Sequence, residues 1–548
     1  MGRVVRWTIG QYKLGKPRRG KAASNCKLRD GILVRRPVTT VKRYLYRSMA
    51  RVPAISAIAV SLLGSSPALR AQCDSLKSGE KIWVRLLEPL SSYSGKAGEK
   101  IDAMVIDSPV CNGAATIIPG TIVEGKVTFA RRVGMGLVHE TAQLRVNFEK
   151  LKLKDGGEVV LSSQLVGIDN ARETVRDGLI RGVNATDTPQ GRITSRLKHL
   201  PTWNPYSDFG LIAYRLAFPL FPEPEIYLPR GSDLHLELTA MVAIPPGDGH
   251  YATGGVPDEA EKAVMQITAP AFTERTTTSR GQAADIVNVA LLGNESQMAR
   301  AFYAAGWTHG DKTSTRSVMK QMHAFLSFNN YASAPISTQL MDGEKVTTTW
   351  EKGLDSYEKR EHLRLWARDD VFEGQTVWVG AMTRETGATL SVRHHSFIHH
   401  IDADMDDGRT MIIRDLNLAG CVAAVYFVAR PQMAHSAMNS TGDPMRTDGS
   451  LAVVQLKDCE NPVFAQTADD QTVQSRPRSK FARYVRMQVL SFRSDLIRGN
   501  IVYGAFDLTR MAIRARKQHT EKAMLVRQVE TDQEQARLTA MAGTSRAQ

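Results

Sequence analysis

The sequence predicts a multidomain protein: an N-terminal all-β barrel or sandwich, then an α/β (α+β) domain, then a C-terminal amphipathic helical region. Three observations predict this. Residues 77–245 hold short alternating runs separated by Gly/Pro turns. Residues 285–460 interleave apolar strand-like runs with capped helical segments. Beyond residue 479, apolar residues recur at helical spacing among arginines.

The net charge lies ahead of all three regions. Of 71 Lys+Arg and 56 Asp+Glu, residues 1–71 hold 16 of the basic residues and one acid, Asp30. The formal charge of +15 therefore sits in a basic leader, and the remainder is balanced. A basic protein invites a nucleic-acid reading; a neutral body removes it. Within the leader, Met49-Ala50-Arg51 reads as a positive n-region. Pro53–Leu63 is an apolar h-region too short to span a bilayer, and Ala71 is the expected cleavage point before Gln72. Met49 is the expected start, with residues 1–48 upstream of it; an unusually long n-region is the alternative. The expected location is the periplasm or cell envelope. Past the leader stand Cys73, Cys111, Cys421 and Cys459. An even count in an exported chain favours disulfides. Of the three connectivities, Cys73–Cys111 with Cys421–Cys459 is preferred, because each bridge then stays within one domain.

In the first region, Lys81–Leu90, Lys100–Ile106, Thr121–Ala130, Ala142–Leu153 and Glu158–Val166 read as strands. Pro119-Gly120 and Asp155-Gly156-Gly157 supply turns. Two strands are entered through Pro/Gly turns, in Ile118-Pro119-Gly120-Thr121-Ile122-Val123 and Leu228-Pro229-Arg230-Gly231-Ser232-Asp233-Leu234. Here the chain resembles the β-barrel domain of TrbI-type secretion-channel proteins, which implies a barrel and a link to secretion. An insertion, 172–224, carries Ser207–Phe221, an apolar aromatic helix with Ser207 as its expected N-cap. It either covers one end of the barrel or touches a membrane surface or partner. Residues 246–284 are rich in Gly, Pro and Thr and read as a linker.

In the second region the expected strands are Ile286–Leu292, His362–Ala367, Thr376–Met382, Val422–Val428 and Leu451–Gln455. One helix is expected between an Asn294 N-cap and a Gly306 C′ glycine, a second over Thr315–Leu326 and a third within Gly408–Ala419. The pieces DIVNVALLGNESQMARAFYAAGW (Asp285–Trp307), HLRLW (His362–Trp366), TVWVGAMT (Thr376–Thr383), HHIDADMD (His399–Asp406) and TGDPMRTDGSLAVVQL (Thr441–Leu456) follow one another. Together they resemble the LssY C-terminal domain family. The resemblance implies an exported or membrane-linked bacterial domain with no established reaction. Membrane and phosphatase modules precede this domain in other chains; their motifs are absent from this sequence, so their chemistry does not carry over.

The chemically suggestive segment is Arg393–Asp407, with four His and four Asp in fifteen residues. The metal-ligand candidates are His394, His395, His399, His400, Asp402 and Asp404. Imidazole with carboxylate suits Zn, Mn or Fe; clustered carboxylates suit Mg or Ca. In an extended segment His400, Asp402, Asp404 and Asp406 share one face and His399 takes the other. Asp443 and Asp448 lie in turns and are the candidate catalytic bases. The competing reading is a solvated loop whose residues cap the next helix.

Residues 479–517 are expected to form an amphipathic helix or helical pair, broken near Gly499-Asn500. Residues 518–548 are expected to be a disordered tail. Two functions remain. One is a non-catalytic envelope module that binds a protein partner, a secreted substrate or an anionic membrane surface, with the basic helix as anchor. The other is a metal-dependent hydrolase of an envelope lipid or phosphoester. The lack of a complete catalytic constellation favours the first.

Overall fold

The computed structural model describes residues 75–544 apart from 112–113, 154, 185–186, 189–196, 199–201, 203, 218–221, 245–272, 373, 392–395, 431, 460–472 and 499–500. The leader, with its expected signal and cleavage point, lies outside the described residues, as does Cys73 and with it the expected Cys73–Cys111 bridge.

The first sheet is antiparallel. Its strands are β1 (Lys81–Leu86), β2 (Lys100–Asp107), β3 (Ile122–Arg131), β4 (Gln143–Lys152), β5 (Ser163–Ile168), β6 (Thr174–Arg176), β7 (Leu179–Arg181) and β8 (Asp233–Leu238). They run in the order β5-β8-β1-β2-β3-β4-β7-β6, with Glu158–Val160 also paired to β4. β5 and β6 come back against each other, so the sheet is a nearly closed barrel. Alternation places Ile82, Val84, Leu86, Val105, Val123, Leu144, Val146, Phe148, Leu234 and Leu236 inside it, all buried. β6 and β7 lie inside the expected insertion 172–224, so that segment supplies two strands of the sheet as well as a helix.

That helix is α1 (Pro205–Ala217). It begins two residues earlier than expected. Asn204, not Ser207, caps it, its side-chain oxygen accepting from the Ser207 N–H at 3.1 Å. Pro205 follows the cap, where a missing N–H costs nothing.

The second sheet is mixed. It contains β9 (Val289–Leu292), β10 (Thr348–Gly353), β11 (Arg360–Phe372), β12 (Gln375–Ser391), β13 (Ser396–Ile401), β14 (Val422–Ala429) and β15 (Ser450–Leu456). The order is β10-β11-β12-β9-β15-β14, with Thr308–His309 outside β10 and β13 paired to β12. β9 and β15 are parallel; the other pairs are antiparallel. Helices α2 (Glu295–Ala304), α3 (Thr315–Ser327) and α4 (Met405–Leu418) accompany it. Asn294 caps α2 through the Gln297 N–H, and Gly306 follows it at φ +81°, a backbone state that glycine adopts without strain. The end of the expected linker is structured: Arg275–Thr277 pairs with Ala283–Ile286.

Two helices close the chain, α5 (Lys480–Arg498) and α6 (Ile501–Thr544). The break expected at Gly499-Asn500 lies outside the described residues. The tail expected to be disordered is helical to Thr544. Its Ala, Gln, Glu, Lys, Arg, Leu and Met content has high helix propensity, and no proline interrupts it.

Candidate functional site

The described part of the His/Asp segment runs from β13 into α4. Strand alternation holds as far as Ile401 and sends His399 and His400 to opposite faces. It stops there. Asp402 lies beyond the strand and accepts the Asp404 N–H at 3.1 Å. Asp404 is the N-cap of α4, accepting from the N–H groups of Asp406 and Asp407. Asp406 lies in the first turn and accepts from Thr447 Oγ1 at 2.8 Å and the Asp448 N–H at 2.7 Å. The four-residue face expected from His400 to Asp406 is therefore not formed, because the chain turns into a helix after Ile401. His394 and His395 lie outside the described residues. Among the described residues, no three His, Cys, Asp or Glu side chains converge as a metal site would require.

His399 and His400 instead each lie between a hydroxyl and a carboxylate. On one face, His399 Nε2 is 3.0 Å from Tyr357 Oη and its Nδ1 is 2.9 Å from Glu385 Oε2. On the other, His400 Nε2 is 3.1 Å from Thr389 Oγ1 and its Nδ1 is 3.1 Å from Asp443 Oδ1. Asp443 is thus brought to a histidine, but it also accepts from Thr441 Oγ1 at 3.1 Å and Lys522 Nζ at 3.3 Å. Burial works to raise its pKa; His400 and Lys522 outweigh it and hold the carboxyl below its ordinary value. Asp448 is not in that group: its two oxygens take a fork from Arg409, at 2.9 and 2.7 Å, which lowers its pKa to about 2.

The His399 relay opens into a buried ionic cluster that sequence reasoning missed. Glu351, Arg360, His362 and Glu385 lie on one face of β10, β11 and β12, all at most 4% exposed. Arg360 spans Glu351 at 2.5 Å and Glu385 at 3.0 Å. Burial pushes Glu351 up to about 8 against the pull of Arg360. Glu385 also feels burial, but Arg360, His399 and His362 together hold it well below the usual carboxylate range. Burial drives His362 down to about 3, so it is neutral. Burial also raises the Tyr357 hydroxyl, which makes it a poor proton donor or nucleophile. The signal was available: RxHxR at Arg360–Arg364 alternates as a strand with only charged or imidazole groups on one face.

The opposite face carries a second cluster, which meets the barrel. Lys352 Nζ reaches Asp415 of α4 at 2.6 Å, and Trp307 Nε1 donates to the same carboxylate at 3.0 Å. Asp415 also receives Arg85 of β1 at 2.6 Å, and Arg85 forks onto Asp233 of β8 at 2.6 and 2.7 Å. Arg384 pairs with Asp169 at 2.6 Å, and Asn170 donates to Glu361. Burial raises Glu361 to about 7 despite Arg384 beside it.

A different kind of surface is made by α5. Arg486 binds Glu223 at 3.1 Å and also Glu225, which is fully buried and takes Ser92 Oγ at 2.7 Å. Arg493 donates to the carbonyls of Gly134, Gly136 and Glu140. Leu490 enters the barrel core. A buried Glu225 needs a cation, so the arginine face turns inward. The apolar face is left outside: Phe481 is 77% exposed, Phe492 66% and Leu496 62%, with Tyr484, Val485 and Val489 between them. The amphipathic helix expected here thus packs back on the barrel through Arg486 and Arg493. On α1, Tyr206 and Phe209 are likewise exposed. Cys421 and Cys459 form the expected bridge, with Cα atoms 4.1 Å apart.

No described helix is long and apolar enough to cross a membrane. No curated protein matches the chain. The solved structure of ComB10 of the Com type IV secretion system of Helicobacter pylori aligns with 32% of this chain and 94% of its own. Its identity is 12% and its TM-score 0.20, a likeness too slight to carry a conclusion. Residues 266–451 match the family model described as LssY C-terminus, the family that the motifs between Asp285 and Leu456 resemble.

Proposed function

We propose that this chain is an exported cell-envelope protein that acts as a non-catalytic binding module and docks on an anionic membrane surface through α5. The observation that carries the reading is the packing of α5, which turns Arg486 and Arg493 onto the barrel and displays its aromatic and aliphatic stripe. Phe481, Val485, Val489, Phe492 and Leu496 recur at three- and four-residue steps, a continuous face of the kind that settles into a headgroup–acyl boundary. From Arg476 to Lys517 the only acids are Asp495 and Asp507, against a run of arginines and lysines, so the segment complements anionic lipid. Export is supported by the n/h/c pattern after Met49 and by the Cys421–Cys459 bridge, which belongs to an oxidising compartment.

A metal-dependent hydrolase built on His399, His400, Asp402 and Asp404 is less favoured. Every one of these side chains already holds a protein partner. The test is flotation of the purified chain with phosphatidylglycerol or phosphatidylcholine vesicles. The chain should float with the first and not the second, and Val485→Asp with Phe492→Asp should abolish flotation. Equal flotation of the double variant would overturn the reading.

A further inference from the structure

The outer side of α3 borders an open groove of about 790 Å³, within the size range of small-molecule sites. Arg316, Lys320 and His323 stand along one wall at helical steps of four and three. Met319 and Ala324 supply apolar lining from the same helix, and Tyr331 faces them from the following loop. Met319 is 69% exposed, with Val318 at 45% and Met322 at 40% beside it. A flexible thioether displayed in this way adapts readily to an apolar ligand.

The charge is one-sided. No carboxylate lines the groove. Asp311, close by, accepts the Tyr331 hydroxyl at 2.6 Å. Lys320 Nζ lies over the Tyr331 ring, 5.4 Å from its centroid, a cation–π contact within the groove. A groove with basic groups on one wall and exposed apolar groups along it suits a molecule with a negative head and an apolar body.

We infer that this groove binds a single-chain anionic amphiphile, its head against Arg316, Lys320 and His323 and its alkyl chain along Met319 and Tyr331. The inference rests on the reading of the protein as lipid-associated, but it concerns a different helix and a monomeric ligand.

The test is calorimetric titration of the full chain with dodecyl phosphate below its micelle concentration. Inorganic phosphate and dodecyl maltoside serve as head-only and uncharged-head arms. Saturable binding of dodecyl phosphate alone is expected, weakened about tenfold or more by Arg316→Glu with Lys320→Glu, a loss of the size that removing charge-assisted contacts brings. Met319→Asp should weaken it as well. Val485→Asp with Phe492→Asp should leave it unchanged, which separates this site from vesicle docking by α5. All these side chains are exposed, so the variants should retain the circular dichroism of the parent. No binding by a folded parent, binding insensitive to the charge reversal, or equal binding of dodecyl maltoside would each overturn the inference. So would equal binding of inorganic phosphate, which would make the site a plain anion site.

Discussion

Arg85 shows how one residue can serve two sheets. On β1 it alternates with Ile82, Val84 and Leu86, so it points away from the barrel core, yet it is 1% exposed. Its guanidinium joins Asp233 of the barrel to Asp415 of α4. Arg85→Ala removes the fork on buried Asp233 and one cation from Asp415, which keeps Lys352, and should cost about 3 kcal/mol, read as a lower urea midpoint with unchanged slope. Glu361 gives a pH signature. Its pKa rises from an ordinary 4.5 to about 7, so the folded state holds a proton that the unfolded state has released. Stability must then fall as pH rises from about 4.5 to 7, by about 3 kcal/mol. Asp169 acts in the other direction. Its pKa is lowered from 3.8 to about 2, so its contribution is present above 3.8 and lost as pH falls toward 2. Denaturation measured from pH 5 to 8 should show the decline in the parent and a flatter profile in Glu361→Gln. An equal decline in both would count against the assignment. At this scale the sequence was partly legible. The opposite faces of His399 and His400 follow from strand period, whereas their partners Glu385, Tyr357 and Asp443 come from other elements and no spacing announces them.

Individual elements were more legible. The strands at Lys100, Gln143, Val422 and Ser450 start within a residue or two of where alternation puts them, because one buried face fixes register. The Asn294 cap and the Gly306 stop follow from local chemistry. Helix α4 starts at Met405, three residues ahead of the expected Gly408, and Asp404 is its cap, as the reading of this segment as a loop that caps the next helix expects. Asp404→Ala should therefore lower stability by about 1 kcal/mol, measured by denaturant titration, with no change in metal content. The Cys421–Cys459 bridge ties the start of β14 to the residues after β15 across a separation of 38 residues. Replacing both cysteines by serine should cost roughly 3–4 kcal/mol on the chain-entropy account, and peptide mapping without reductant should recover the linked pair. The face that α5 presents was the least legible feature. Its pattern is plainly amphipathic, but which face is buried depends on the buried Glu225 at the barrel end, whose cation, Arg486, stands 261 residues away in the chain.

At the scale of the whole molecule, two mostly β bodies meet through a charge network beside a small apolar contact, in which Leu418 of α4 packs with Met104 and Ile106 of β2. Arg85, Asp233, Lys352 and Asp415, with Asp169, Arg384 and Glu361, occupy the contact. Exposed apolar side chains lie on α1, α3, α5 and α6, among other places. The central claim is that the outward stripe of α5 is a lipid-facing surface. Its most direct measurement is photo-crosslinking from a benzophenone side chain placed at Phe492 and, separately, at Leu490, with phosphatidylglycerol vesicles present. The account predicts lipid adducts from position 492 and protein adducts from position 490, which is buried in the barrel core. Lipid adducts from neither position, or from both alike, would contradict it.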